Sequence, residues 1–584
     1  MKRFLSAFFA VLLLTVGLSA CSSETGLVRG TEVSLGQIGQ IASLNTDVAG
    51  ADGGERNAAE LANLTTAKFY ELNAAGDLVA NTKLGTVEVL GQTPLTVKYS
   101  LVEGATWSDG TAIDAADLAL SFAAGSSLAG LNFYSIRSAG GLAVASLVEH
   151  PKVGDLSITV RFTTPVADYL TAITLATPAH IIAKSVNSGL DVTASKKLVL
   201  DAINSQDQAQ LTKITEAYRS GYNTWSGVSD PDLFISSGPY QVTEAKSNTE
   251  LKLVANPNYK LGDQARIEII HLKYFVDSAA AVSALSDGSV DATSTLDSGL
   301  VTLSDLIGLV SEIKDVNVTP ALRAGTTAEQ IIFNFKPQSR FSIERNDNDA
   351  AKALKLREAF MNLIPRNRIV SGLSNAYKVS ISDSLVFQSS SPYYRASSQD
   401  NGLNAYLIQD AEKASEMLTA TGVSLPMKVR VAYDVTNPRA QTEWILLSER
   451  AAAAGFNLKA VGGEDLQATL QSGDFEIYLG PRPLISLPGQ NAFGLINDSF
   501  VGYQNADVRS ALEEYAIASD DQQRASVLKQ IDQILVADAY GMPLYEVASL
   551  VIYSDRIAGF EVAPQAQSVT WGYQNWSIKP KATS

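Results

Sequence analysis

Cysteine is almost absent from the chain: 584 residues include one, Cys21, beside three histidines, His150, His180 and His271. A single thiol excludes a disulfide framework and any thiolate metal site. The histidines stand far apart and form no His-x3-His pair, so no metal motif is present. Basic charge is also short. Lys and Arg number 45 against 61 Asp and Glu, a net charge of −16. That excludes nucleic acid as a partner, since phosphate contacts need a basic surface. It also means that charge does not hold the chain on anionic lipid. Apolar runs of spanning length, ~20 residues, are missing. Residues 4–16 are uncharged but short, and residues 445–454 are interrupted by Ser448, Glu449 and Arg450. There is no Walker A loop, no H-E-x-x-H and no G-x-S-x-G elbow. No spacing singles out a carboxylate pair for acid–base work.

What is present is a globular composition, 46% hydrophobic with 8% aromatics, in a chain long enough for three or four domain-sized units. Lys2 and Arg3 precede the apolar residues 4–16, and Leu18-Ser19-Ala20-Cys21 closes the segment. This resembles a bacterial lipoprotein signal. The resemblance implies removal of residues 1–20, acylation of Cys21 as the lipid attachment and mature N-terminus, and an extracytoplasmic protein held at the cell membrane by lipid. The small polar residues that follow make 21–30 a flexible tether.

Strands and helices alternate along the rest. Leu95-Thr96-Val97-Lys98-Tyr99-Ser100-Leu101 alternates apolar and polar residues as a half-buried strand does, and runs into Trp107-Ser108-Asp109-Gly110, a turn signal. Asp114 caps a helix over residues 115–122. Residues 156–162, 251–255, 267–275, 331–335, 427–433 and 474–479 read as strands. Residues 193–220, 279–285, 349–363, 410–418, 440–454 and 522–537 read as helices, with Met542-Pro543-Leu544-Tyr545 and Val551-Ile552-Tyr553 as two short extended pieces. The pattern is α/β without a fixed-period repeat.

Ten residues from Leu101 to Gly110 with Ala115-Ala116-Asp117, then Ser237-Gly238-Pro239-Tyr240 through Asn256-Pro257-Asn258-Tyr259, carry a family resemblance. Weaker echoes are Gly288-Ser289-Val290-Asp291, Phe333-Asn334-Phe335, Leu356-Arg357-Glu358-Ala359-Phe360 and Met542-Pro543-Leu544-Tyr545. In this order they resemble the extracytoplasmic solute-binding proteins of the oligopeptide, dipeptide and nickel importers, over essentially the whole mature chain. Physically, the Trp107–Gly110 motif is a strand end with a tight turn, Gly238-Pro239-Tyr240 a rigid lead-in to a strand, and Arg357 a surface or interlobe ion-pair partner.

The resemblance implies a two-lobe periplasmic-binding-protein-like fold with a hinge and an extra subdomain inserted in lobe I. Lobe I is expected over 31–72, 233–275 and 548–584, the extra subdomain over 73–232, and lobe II over 276–547. A ligand would bind in the cleft and the lobes close by hinge motion. In peptide-binding members a tryptophan follows the glycine of the segment matching Gly480-Pro481-Arg482-Pro483-Leu484, and an aspartate three residues further pairs with the peptide ammonium. Here those positions are Pro481 and Leu484, so the usual partner of a free N-terminus is missing. A shifted register across these prolines would also account for it. Arg482, in the same loop, is either a fork for a ligand carboxylate or phosphate or a solvated cation. Tyr478, Phe493, Tyr503 and Trp571 are candidate cleft-lining aromatics that read equally as core residues, and Asn45 matches the cleft-edge segment.

The function implied is a substrate-binding component without enzymatic activity, cofactor or metal. It would act as a monomer, take an oligopeptide or similar extended solute, and deliver it to a permease with its ATPase subunits. A family-derived lipoprotein serving as a sensor or interaction protein, and a surface hydrolase, remain as alternatives. The ligand's identity and the number of membranes in the cell stay open.

Overall fold

The computed structural model describes residues 26–48, 54–136, 141–163, 166, 168–295, 303–314, 316–373, 381–391, 394–463, 465–485, 500–518, 521–563 and 568–578. The expected lipid site Cys21 and the candidate Phe493 lie outside them, as do residues 486–488.

A ten-stranded mixed sheet organises the chain. From one edge its order is Phe456–Val461, Met427–Ala432, Ile477–Pro483, Val318–Phe333, Gly541–Ser554, Ala292–Ser294, Val28–Ile38, Ile267–Phe275, Glu250–Ala255 and Tyr240–Lys246. Val28–Ile38 runs parallel to both its neighbours, and Met427–Ala432 is likewise parallel to both of its own; the other pairs are antiparallel. Alternation made these strands legible. Ile267–Phe275 has the expected bounds, with Ile270 and Leu272 buried. Asp114 caps the helix Ala115–Gly125 in a capping box with Asp117, and both carboxylates hold the buried Lys196 ammonium, at 3.1 and 2.9 Å.

Two strands connect the halves. Val318–Phe333 and Gly541–Ser554 pair over almost their whole length, from Val318↔Ser554 to Ile332↔Gly541. At one end the second is extended by Ala292–Ser294, and at the other the first is extended by Ile477–Pro483. The ladder between them shifts register twice, between Ala324 and Ala328 and between Glu329 and Gln330. Bulges bend a strand and increase its twist, so the connection is jointed at this point. Here the structure corrects the sequence reading, which has two short pieces at 542–545 and 551–553. They are one strand, and Glu546, Ala548 and Ser549 interrupt its apolar pattern because the joint lies there.

Separate cores lie on the two sides of the joint. One gathers Phe333, Phe341, Phe360, Phe387, Val429, Leu447 and their neighbours around the far half of the sheet. The other packs Val33, Leu35, Leu253, Ile270 and Trp576 against helices that include Ile182, Val199, Leu211 and Tyr218. A four-stranded antiparallel sheet, ordered Gly85–Gln92, Leu95–Leu101, Ser157–Phe162 and Ala145–Leu147, has its own core around Tyr99 and Trp107. This is the two-lobe arrangement.

The motifs serve the fold. Gly110, at φ +85°, closes the turn in which Trp107 N–H donates to Thr111 O, and buried His180 Nε2 lies 3.1 Å from Asp109 Oδ2. A Cβ on Gly238 would stand 2.4 Å from the Thr65 carbonyl carbon, so only glycine lets this segment pass the helix Gly54–Thr65. Asp291 takes a bidentate pair from Arg556, each bond 2.7 Å, and accepts from Ser34 N–H at 2.8 Å, tying the end of the second crossing strand to lobe I. Arg357 is a correction: it is neither at the surface nor between lobes. It is buried in lobe II, donates to Phe341 O at 2.8 Å and Asp538 O at 3.1 Å, and lies over the Phe335 ring. Burial lowers its pKa to about 10, against the pull of Asp538.

Candidate functional site

The joint in the crossing strands carries a concentration of buried charge. Neighbouring residues Tyr545 and Glu546 pair across the ladder with Glu329 and Ala328, so they face opposite sides of the sheet. On one side Glu329 lies 3.2 Å from Arg439 Nη2, and Tyr545 OH donates to Glu443 Oε1. Glu329 and Glu443 are both fully buried. Burial first, then the Glu329 charge, push the Glu443 carboxyl well above the usual carboxylate range, so it keeps its proton while Glu329 pairs with Arg439. Arg439 and Glu443 stand one turn apart on the helix Pro438–Ala453, capped by Asn437.

On the other side Glu546 is completely buried and accepts from the Ser389 backbone N–H and, at 2.6 Å, from its hydroxyl. Burial raises its pKa to about 7, with the two Ser389 bonds opposing. Ser389 also borders a polar cavity of about 820 Å³ whose walls include Asp383, Tyr394, Arg395 and Asn401. Arg366 Nη2 holds Asp383 at 2.7 Å, and Asp383 N–H donates to Tyr394 OH at 2.7 Å.

The candidates read from sequence are distributed around this joint. Arg482 stands not in a loop but in the strand Ile477–Pro483, opposite Ala328. Pro481 and Pro483 fit there because Met427–Ala432, the strand on the other side, pairs only as far as Ile477 and Tyr478. The Arg482 guanidinium lies 4.9 Å from the Phe500 ring centroid, and its side chain lines a small cavity with Gln330, Leu385 and Tyr540. Tyr478 is buried, packs edge-on to Phe500 at 5.4 Å and donates to Pro481 O. Burial, then the Glu329 charge, raise its pKa. Leu484 is 1% exposed. Tyr503 is buried in the lobe II core, where it donates to Asp538 Oδ2 at 2.6 Å. In lobe I, Asn45 is fully buried. Its Nδ2 donates to Tyr218 O at 2.9 Å and its Oδ1 accepts from Asp47 N–H, holding a turn whose Thr46 and Asp47 line a separate cavity of about 260 Å³. Trp571 is half-buried and donates from Nε1 to Leu72 O at 3.3 Å.

The structure thus brings Tyr478 and Arg482 together around Phe500, places Tyr503 in the same core against Tyr540, which lines the Arg482 cavity, and leaves Asn45 and Trp571 in the other half of the molecule. Sequence reasoning missed Glu329, Arg439, Glu443, Tyr545, Glu546 and Ser389. The available signal was charge inside apolar strands: Glu329-Gln330 directly precede Ile331-Ile332-Phe333, and Glu546 follows Met542-Pro543-Leu544-Tyr545. Among the described residues, no group of three or more His, Cys, Asp or Glu is placed to hold a metal ion. No described helix is long and apolar enough to cross a membrane.

Comparison with known proteins agrees with this architecture. A protein of Mycobacterium leprae (strain TN) described as an uncharacterized lipoprotein is 24% identical over 593 residues, covering 97% of both chains. A similarly described lipoprotein of Mycobacterium tuberculosis (strain ATCC 25618 / H37Rv) is 23% identical over 86% of both. Among solved structures, a periplasmic EDTA-binding protein superposes with a TM-score of 0.73 at 18% identity, covering 95% of this chain and 98% of its own. The oligopeptide-binding protein AppA from Bacillus subtilis, in complex with a nonapeptide, superposes with a TM-score of 0.60 at 15% identity, covering 94% and 99%. At these identities the superpositions speak for the fold. Residues 92–503 match the profile described as bacterial extracellular solute-binding proteins, family 5 middle. The chain belongs to the family 5 bacterial extracellular solute-binding proteins.

Proposed function

We propose that the protein is the lipid-anchored substrate-binding component of an ABC importer, and that it captures an oligopeptide or similar extended solute between its lobes. The observation that carries this reading is the jointed pair of crossing strands, whose ladder breaks between Ala324 and Ala328 while intact cores stand on either side. Such a joint lets two rigid lobes change their angle, and a ligand that touches both favours the closed state by its differential affinity. Family membership supports the same reading, and the lipoprotein descriptions of the mycobacterial relatives support Cys21 as the lipid site. The anchor would keep the receptor beside its permease and raise its effective concentration there. Chemistry on the solute is not part of the reading, since holding and release suffice for delivery.

Native mass spectrometry of the gently purified protein tests it. A co-purified solute in one-to-one ratio, which is lost on unfolding and raises the melting midpoint when returned, is the expected result. Turnover of the bound solute by the purified protein would sink the binding-only function.

A further inference from the structure

The 260 Å³ cavity lies within the lobe I half, between the helix Gly54–Thr65 and the segment around Tyr169–Thr171. Its wall is largely apolar, from Ala62, Phe69, Tyr70, Ile136, Leu170 and Ile173. That volume is of the order of a large aromatic or branched apolar group, near the lower end of the usual ligand-pocket range. Among the described residues, one cation, Lys68, lines it. Lys68 Nζ donates to Asn63 Oδ1 at 2.8 Å, and no carboxylate of the described residues lies within 4 Å of it. The amide is turned that way because Asn63 Nδ2 is committed to Ser568 Oγ and Thr570 Oγ1, both at 3.2 Å. Burial lowers the Lys68 pKa, against a pull from the Glu71 charge. Thr174, also on the wall, has a buried hydroxyl with no hydrogen-bond partner. Asp47 on the same wall is itself buried, with Oδ2 accepting from Tyr218 OH at 2.6 Å.

We infer that this cavity holds an apolar group of the transported solute and that Lys68 pairs with a carboxylate attached beside it. A half-buried ammonium whose hydrogen bond goes to a neutral amide, with the Glu71 charge acting on it only at longer range, gains from a directly bonded anion through a charge-assisted bond. The chain as a whole is strongly acidic, at −16, and repels anions at long range, so affinity for one must come from a local cation of this kind. The inference rests on the receptor reading and narrows it to amphipathic organic anions. Two sources share that chemistry: a peptide whose last residue is large and apolar, and a free hydrophobic carboxylic acid. Recognition through a carboxylate would also suit a chain that has Leu484 where an aspartate would meet a peptide ammonium.

Calorimetric titration with three probes tests it: N-acetyl-Gly-Gly-Phe, its C-terminal amide, and 3-phenylpropanoate. The protein is the mature chain beside Lys68→Met, which keeps the stem, and Ala62→Leu, which fills the cavity. The carboxylate peptide is expected to bind the parent ~10-fold or more tighter than the amide, to lose that advantage in Lys68→Met, and to lose binding in Ala62→Leu. Binding of 3-phenylpropanoate with the same sensitivity to both variants assigns the site to free acids; its failure, with the peptide retained, assigns it to peptide C-termini. Melting curves of both variants confirm folding. Equal affinity for acid and amide, affinities unchanged in both variants, or no binding of any probe overturns the inference. A co-purified solute that binds both variants as it binds the parent overturns it while the receptor reading stands.

Discussion

Replacing Glu546 by Gln tests the buried acid at the joint. The carboxyl is fully buried, its partners are the Ser389 N–H and hydroxyl, and its pKa is raised by burial to about 7. A carboxylic acid whose folded pKa lies above its unfolded one binds its proton more tightly in the native state. Stability from this group is therefore full below the unfolded pKa, ~4.3, and is lost as pH rises through about 7. Complete loss corresponds to about 4 kcal/mol, reached near pH 8, of which about 1 is already gone at pH 5. Glutamine keeps an acceptor for the Ser389 N–H and cannot ionise, so the variant should show none of this loss. The assay is urea unfolding of parent and Glu546→Gln at pH 5 and pH 8.5, reading the difference of differences so that other titrating groups cancel. Asp532, buried and raised to about 6, shifts in the same direction in both proteins and drops out. A parent that loses about 3 kcal/mol more than the variant between the two pH values is expected. Identical pH dependence in the two would refute the reasoning that burial at the joint controls this carboxyl.

Three further outcomes follow from the packing. Gly238→Ala drives a Cβ to 2.4 Å from the Thr65 carbonyl carbon and should cost about 3 kcal/mol, read as a fall in melting midpoint. Arg357→Ala strips the bonds to Phe341 O and Asp538 O and should cost about 2–4 kcal/mol in urea unfolding, with solute affinity unaltered because the guanidinium lies inside lobe II. Burial would raise the Asp109 carboxyl, but bonds from His180 and Thr111 outweigh it and hold the pKa at about 2. The stability it contributes is thus present above ~pH 4 and lost as pH falls toward 2; because the carboxyl is partly open to solvent, Asp109→Asn should remove about 1 kcal/mol of the parent's acid sensitivity in unfolding titrations between pH 4.5 and 2.

Local elements were legible where one physical rule dominated. Leu95–Leu101 has the expected bounds because every second side chain enters a core, and Asp349, Asp410 and Asp114 announce helices because each caps free amides. The two crossing strands were not legible as units. Their middles carry Gly325, Glu329 and Glu546, which interrupt alternation where the ladder shifts register. Arg357 was misplaced because its helix looks amphipathic from one side, whereas Ala353, Leu356, Phe360 and Met361 are all buried and take the arginine in with them. At the candidate site, Arg482 and Tyr478 could be chosen from their segment. Their closeness to Phe500 is a contact between a strand and a later segment of the chain, and the meeting of Glu329, Arg439, Glu443 and Tyr545 depends on pairings between residues more than 100 positions apart; periodicity encodes neither.

The claim that the two lobes close on a solute can be measured as a distance. Cys21 is the only cysteine, so a soluble chain beginning after it accepts spin labels at two introduced thiols alone. Lys197 in the lobe I half and Glu412 in the lobe II half are exposed and suit Lys197→Cys with Glu412→Cys. Pulsed dipolar spectroscopy of the doubly labelled protein should give one distance distribution without solute, and a shorter, narrower one with the solute released from the natively purified protein. A distribution unchanged at saturating solute would contradict closure about the joint at Ala324–Ala328.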